Sequence, residues 1–415
     1  MKSILFFIFL FFVTISTSAQ VIIDGIIRPR VEYRDGFTKI STAADKPAFF
    51  VSQQTRLGVK LMKDDLIGKF TFQDARIWGG DNILSLYEAW AKYSISNSFA
   101  VKFGRQELHY DDGRLISRRP RRQDGFYYDA LLLQYAKDSL YVDIGFSVNN
   151  SQANVNGNAY AYATTQFKNF NFLYFKKYFN NGFDIAITGI SLGFQKENTD
   201  TTFFKQTIGT KLDYQKSKFS ASSELFYQGG KHKDGRSVNA YSATLKAAYQ
   251  VTSKVKFTLG TEIFSGHDAT NSDANYQNTN HVFDNLQGAR FRYYGRMNYF
   301  RNLEKDTGGG GLTDYYIDLN VKLSKQFQAT GMYHYFNSQN NILNNNTEVL
   351  DKHLASEFDL ILKYQPQKNI NLSFGYSFLA STNSLEFIQN ININEGQFGH
   401  YLWLMTAVDF GEFKL

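Results

Sequence analysis

Arginine is where this chain concentrates its chemistry. Eleven of its sixteen arginines fall between Arg28 and Arg122, less than a quarter of the 415 residues. Arg28, Arg30, Glu32 and Arg34 recur at every second position, so an extended strand puts them on one face and Ile27, Val31 and Tyr33 on the other. Arg56 follows Ser52 and Gln54 at the same spacing, Arg76 closes the run Gln73-Asp74-Ala75-Arg76, and Glu88 stands in the next segment. Arg114 precedes the cluster Arg118-Arg119-Pro120-Arg121-Arg122. Guanidinium groups at strand spacing match carboxylates and phosphates with paired donors. Interleaved Glu32, Asp74 and Glu88 would hold them upright and leave a net positive potential, which is how rings of arginine make a pore favour anions. Two plainer readings stand beside this one: an ion-pair network that only fills a wall, and an exposed loop 118–122 that binds lipopolysaccharide phosphates.

The elements that must position these residues are strands. From Tyr241 to Val251 apolar residues take every second place, alternating with Ser242, Thr244, Lys246 and Gln250; Ala248 is the exception. The same alternation runs through Tyr315, Ile317, Leu319 and Val321 against Asp318, Asn320 and Lys322. It predicts eighteen strands, from 25–35, 49–61 and 66–76, through 84–95, 98–107 and 124–136, to 369–379 and 400–412; sixteen is the nearest alternative. Tight turns such as Lys63-Asp64-Asp65 and Ser96-Asn97 alternate with longer polar connections, notably 150–165, 266–311, 338–352 and 380–399. Tyr241 and Tyr249 bracket an apolar face about 26 Å long, or roughly 20 Å of height at a tilt of about 40°. The expected fold is an all-β transmembrane antiparallel β-barrel with short periplasmic turns and long external loops. A soluble β-sandwich is the alternative that alternation alone leaves open.

Composition agrees. There are 27 Tyr and 39 Phe against four Pro, and the net charge is a modest +7. Lys2, the apolar run from Ile4 to Val13 and the small residues Thr17-Ser18-Ala19 predict a signal peptide over residues 1–19. Residues 20–415 then form a single barrel domain destined for the bacterial outer membrane. The absence of cysteine excludes a lipidated cysteine and disulfides. Strict alternation places Arg105 with Val101 and Phe103 on the lipid face. Either a bulge at Gly104 turns it inward or it lies at the external rim, because a charge at the bilayer midplane costs about 2–4 kcal/mol.

The first 130 residues resemble the alginate-export family of outer-membrane barrels. The matching blocks are Arg28-Pro29-Arg30-Val31-Glu32, Gln54-Thr55-Arg56-Leu57-Gly58, Gln73-Asp74-Ala75-Arg76, Glu88-Ala89-Trp90, Gly104-Arg105-Gln106-Glu107-Leu108 and Arg122-Gln123-Asp124-Gly125. Tyr294-Gly295-Arg296-Met297 and Glu357-Phe358-Asp359-Leu360 extend the likeness. The resemblance implies an eighteen-stranded monomeric barrel that passes an anionic polysaccharide such as alginate through an arginine-rich constriction. Arg28, Arg30, Arg56, Arg76, Arg105 and Arg122 would line that path, with Glu32, Glu88 and Asp124 as partners. A general anion-selective porin for small solutes uses the same arginines without a sugar preference. The chain departs from the usual aromatic last residue of such barrels by ending Phe413-Lys414-Leu415.

A barrel enzyme or adhesin working through its external loops is the third reading. Ser265, His267 and Asp268 form the one suggestive cluster, yet neighbours in an extended chain point to opposite sides. No cofactor is expected; the Asp/Asn-rich loop 268–285 offers oxygen ligands that suit Ca²⁺. Expected partners are outer-membrane lipid and lipopolysaccharide, the transported anion and the barrel-assembly machinery, with no nucleic acid.

Overall fold

A computed structural model describes residues 19–81, 84–150, 153, 155–156, 167–196, 199–290 and 293–415. The signal-peptide prediction and most of the predicted loop 150–165 lie outside the described residues. Among these, eighteen antiparallel strands close into one barrel. They are β1 (Gln20–Asp35), β2 (Ala48–Lys63), β3 (Leu66–Ile77), β4 (Leu84–Ser94), β5 (Phe99–Gln106) and β6 (Tyr128–Lys137). Next come β7 (Leu140–Val148), β8 (Asn169–Tyr178), β9 (Phe183–Gln195), β10 (Thr202–Lys216), β11 (Phe219–Gly230) and β12 (Ala240–Gln250). The last six are β13 (Val255–Phe264), β14 (Leu312–Lys322), β15 (Phe327–Asn337), β16 (His353–Gln367), β17 (Ile370–Ser381) and β18 (Gly399–Lys414). Each pairs with its sequence neighbour, and β18 returns to β1 through Ile22 opposite Lys414, so no edge is left open to hydrocarbon.

Turn chemistry sets the short side. The two-residue turns after β2, β6 and β10 each begin with a residue in the left-handed region, Asp64 (φ 51°), Asp138 (53°) and Ser217 (54°), which matches the twist of the flanking strands. Outward side chains form the apolar belt; Tyr315, Ile317 and Leu319 stand exposed, while Asp314 on the same strand is buried inside. The largest boundary shifts are at β1, which begins at Gln20 rather than 25, and at β6, which begins at Tyr128 rather than 124.

Part of the wall breaks the alternation. On β6 the inward Tyr128, Ala130 and Leu132 are apolar, as are the outward Leu131 and Leu133; on β8 Phe170, Phe172 and Tyr174 face in. The connection 107–127 and described parts of the connection after β13, around Phe283, Leu286 and Phe300, fold into the lumen and cover these faces. Leu108, Leu115, Ile116, Phe283, Leu286 and Phe300 pack with Phe170, Phe172, Leu192 and Phe264 in one core inside the barrel. Burying a side chain of this size is worth about 1.5–3 kcal/mol.

Candidate functional site

The connection from β5 to β6 is a strap that tours the inside of the wall. Leaving β5, the Tyr110 hydroxyl donates to Asp143 on β7 (2.7 Å). Asp111 accepts from Tyr174 (2.8 Å) and Lys176 (3.0 Å) on β8, and Asp112 from Lys211 on β10 (3.1 Å). Arg114 then inserts between Glu224 of β11 (2.6 Å) and Glu262 of β13 (2.6 and 3.1 Å), its guanidinium 3.9 Å over the Tyr293 ring. All three charges are buried. Burial alone would lower the Arg114 pKa, but Glu262 and Glu224 hold it well above its ordinary value. Burial would likewise raise the Asp112 carboxyl, yet Arg114 and Lys211 keep it below the usual carboxylate range.

The strap returns along β1 to β4. Arg28 donates to the Pro120 carbonyl (2.9 Å), the Arg122 carbonyl (2.7 Å) and the Gln123 side chain (3.1 Å). Arg30 donates to the Arg121 carbonyl and to Glu32, both at 2.8 Å. Glu32, fully buried, also accepts from Arg34 (2.6 Å), Ser52 (3.1 Å) and the Tyr401 hydroxyl (3.0 Å). Arg56 donates to Gln73 (2.7 Å) and Glu107 (3.2 Å) and lies 3.5 Å over the Tyr87 ring. Gln73 in turn donates to the Asp124 carbonyl (3.0 Å). With its carbonyls on the wall arginines, this returning half of the strap carries four guanidinium groups of its own. Arg118 reaches Glu107 (3.1 Å), Arg119 reaches Gln287 (3.2 Å) and lies over Phe126, and Arg122 pairs with Asp124 (2.7 Å). The Asp124 bonds keep the Arg122 pKa above its ordinary value. Burial, with Arg296 adding to it, pulls the Arg121 guanidinium down to about 9. Arg119 is pulled down to about 10, again by burial with Arg290 and Arg122 adding.

The structure therefore places Arg28, Arg30, Glu32, Arg34, Arg56, Glu88, Arg114, Arg118, Arg119, Arg121, Arg122 and Asp124 inside the barrel. Glu88 belongs to a lower network with Lys69 (2.9 Å), Thr71 (3.0 Å) and Trp90 (3.1 Å). Two residues expected on the path are corrected. Arg76 shares the outward face of β3 with Phe70 and Phe72 and pairs there with Asp74 (3.3 Å). Arg105 faces out at the external rim, gripping Asp129 through two bonds (2.9 and 3.0 Å). The ladder runs through Gly104 without a shift; the bulge is on β4, where Tyr87 and Glu88 both point inward. A paired charge at the rim avoids the midplane cost, so no reversal of register is required.

Two chambers flank the strap. The external one, about 610 Å³, is lined by Arg105, Arg119, Arg122 and Arg290 and by Asp124 and Asp129. The other, about 590 Å³, reaches down to Gly182 and Gln215 beside the turns. It carries seven carboxylates (Asp112, Asp184, Asp213, Glu224, Glu262, Asp314 and Asp318) against Arg114, Lys246, Lys256 and Arg296. From the long connection, Arg296 and Met297 donate backbone N–H to Glu357 of β16, the second at 2.8 Å. Arg290, Glu224 and Glu262 were not singled out from sequence, and Arg296 and Glu357 stood only in two blocks of family likeness, with no role assigned. Glu224 and Glu262 are each the one acid on their strand, and Arg290 lies in a loop with no period.

The hydrolase-like cluster is not assembled. His267 meets Gln277 (2.9 Å), Asp268 caps Thr270 (2.9 Å), and Ser265 donates to the His281 carbonyl (2.8 Å). Asp273 caps the short helix α1 (Ala274–Gln277). No group of three or more His, Asp or Glu side chains suited to a metal occurs among the described residues.

A closed eighteen-stranded barrel with an apolar belt and a polar, strapped lumen is an integral outer-membrane channel of the porin type. The alginate-export family profile matches residues 79–387, and the chain belongs to that family. No individually curated protein matches it in sequence. In fold it is similar to the outer membrane protein OprD of Pseudomonas aeruginosa, at TM-score 0.64 and 12% identity over 95% of this chain and 94% of that one. OpdO of the same organism superposes at TM-score 0.63, with 12% identity over 96% and 97% of the two chains. OccK9 (OpdG) also gives 0.63, with 13% identity over 96% and 99%.

Proposed function

We propose that the channel carries anions, and that its cargo is an anionic polysaccharide of the polyuronate class, such as alginate. The observation that carries this reading is the strap: Arg118, Arg119, Arg121 and Arg122 stand within five residues inside the lumen, their carbonyl side held by Arg28 and Arg30. Closely spaced guanidinium groups let a chain of carboxylates exchange partners step by step, each contact replacing the last. Membership of the alginate-export family supports the polymer over a small anion. The chemistry is passage alone; family and fold are those of outer-membrane channels.

The test is single-channel recording of the refolded protein in a planar bilayer under a salt gradient, with and without uronate oligomers. An anion-selective current that the oligomers block is expected. Selectivity without block assigns the arginines to small anions, as in a general anion-selective porin. A cation-selective barrel would overturn both.

A further inference from the structure

One aromatic ring is laid flat on the wall of the lower chamber. Tyr316 of β14 points inward and pairs with Gly260 of β13. A methyl group at Gly260 would stand 2.1 Å from Tyr316 Cζ, 2.3 Å from its Oη and 2.5 Å from its Cε1. Three such distances at once put that methyl above the ring plane rather than beside the ring edge. One face of the ring therefore covers the bare β13 backbone, and the other is turned to the lumen. The same arrangement recurs at Phe172 over Gly145 and Trp403 over Gly375, but both of those rings are buried. Tyr316 keeps part of its surface open to the chamber it lines.

Accessible charge stands beside this surface. Lys246 of β12 pairs with Gly260 from the other side, and Lys256 lies further toward the turn on β13. Both lysines are exposed, and neither makes an ion pair or hydrogen bond among the described residues. Asp318, on the turn side of Tyr316, adds carboxylate oxygens that accept from hydroxyl groups. A pyranose has an apolar C–H face and a rim of hydroxyls, and a flat ring flanked by a few polar groups suits both. A pyranose that also carries a carboxylate meets lysine through a charge-assisted hydrogen bond. At about 590 Å³ the chamber falls within the roughly 300–1,000 Å³ usual for small-molecule sites. A small inorganic anion would leave the ring face unused.

We propose that Tyr316, Lys246 and Lys256 form a sugar-binding subsite below the strap, where one uronate unit stacks on the tyrosine while lysine holds its carboxylate. The subsite rests on the polyuronate reading and adds to it a place that recognises the sugar ring as well as its charge.

Single-channel recording of the refolded full-length protein tests this, with mannuronate oligomers and, in parallel, the same oligomers with their carboxyl groups reduced to alcohols. The readout is the oligomer concentration that halves the current. Tyr316→Leu should raise it for the uronate oligomer by at least about fivefold, and Tyr316→Phe, which keeps the flat face, should stay within about twofold of wild type. Gly260→Ala, whose methyl displaces the ring, should raise it by at least about threefold and carries the test should Tyr316→Leu not refold. Lys246→Gln with Lys256→Gln should weaken block by the uronate oligomer at least about threefold more than block by the reduced one. Wild-type block that these variants leave unchanged overturns the subsite and leaves the polyuronate reading standing. Equal losses in Tyr316→Leu and Tyr316→Phe overturn the stacking role. A wild-type channel that uronate oligomers do not block overturns the subsite and the polyuronate reading together.

Discussion

Above the strap, four arginines and two aspartates line the external chamber; below it, seven carboxylates face four Lys and Arg. Around the ring the contrast repeats. Arg28, Arg30, Arg34 and Arg56 stand on β1 and β2, and Glu224 and Glu262 on β11 and β13. In a ring of eighteen, β2 and β11 are nine strands apart and so lie opposite. The four inward arginines of the first two strands thus form one wall, not a ring, and the lumen has a field across it as well as along it. The strap belongs to both regions: its first half answers the acidic wall with Arg114, and its second half rests on the basic wall through its carbonyls.

The comparison breaks most easily at Arg114. Arg114→Ala leaves Glu262 buried without a cation and Glu224 with Lys211 alone (3.3 Å), a loss of about 3–5 kcal/mol, and urea unfolding in detergent should show a correspondingly lower midpoint. Arg114→Met with Glu224→Gln and Glu262→Gln should recover most of it. If Arg114→Ala alone keeps the wild-type midpoint, the strap is not anchored there. On the other wall, Arg28→Ala with Arg30→Ala removes the donors to three strap carbonyls, each bond worth about 1.5–3 kcal/mol. The strap should detach on that side, giving larger, noisier conductance and weaker anion preference. Unchanged conductance and reversal potential would reduce these arginines to wall filling. A smaller effect sharpens the contrast: Asp314→Asn with Asp318→Asn should raise the anion-to-cation permeability ratio about two- to fivefold. Each charge is worth about 1 kcal/mol at close range in water, and the gain should fade as salt rises from 0.1 to 1 M.

Much of this was legible before any coordinates. Strand alternation survives tertiary context because lipid on one side and water on the other enforce it at every position; hence the strand count and the inward Arg28, Arg30, Glu32, Arg34 and Arg56. Arg76 shares its parity with Phe70 and Phe72, and the outward face of β3 carries on past the apolar run to the Asp74–Arg76 pair. Arg105 obeyed parity throughout, and the rim, not a bulge at Gly104, accommodates it. The strap's tour was hidden because irregular backbone has no period. It left an indirect mark, apolar residues on both faces of β6 and β8, which open water inside a barrel would not tolerate. Partners such as Glu262 and Arg290 come from distant parts of the chain, and only closure of the barrel brings them to the strap.

Acid should weaken the two halves of the strap unequally. Asp112 ties the first half to Lys211, and Asp284 ties the long connection to Lys205 (2.9 Å). Burial would raise both carboxyls, but Arg114 and Lys211 in one case, and Lys205 and Arg290 in the other, hold them below the usual range. A carboxylate depressed in the folded state contributes its full stabilisation above the unfolded value near 3.9, and loses it as pH falls through the folded value. The carbonyl contacts of Arg28 and Arg30 contain no carboxylate acceptor, so they hold throughout. Between about pH 7 and pH 4 the channel should therefore keep one conductance level. Below about pH 4 flicker should appear, and Asp112→Asn should bring it on at neutral pH because the Lys211 tie is already weakened. Recording at stepped pH decides the matter: flicker that starts near pH 6 would point to a different titrating group, and a quiet Asp112→Asn channel would show that Arg114 alone holds that half of the strap.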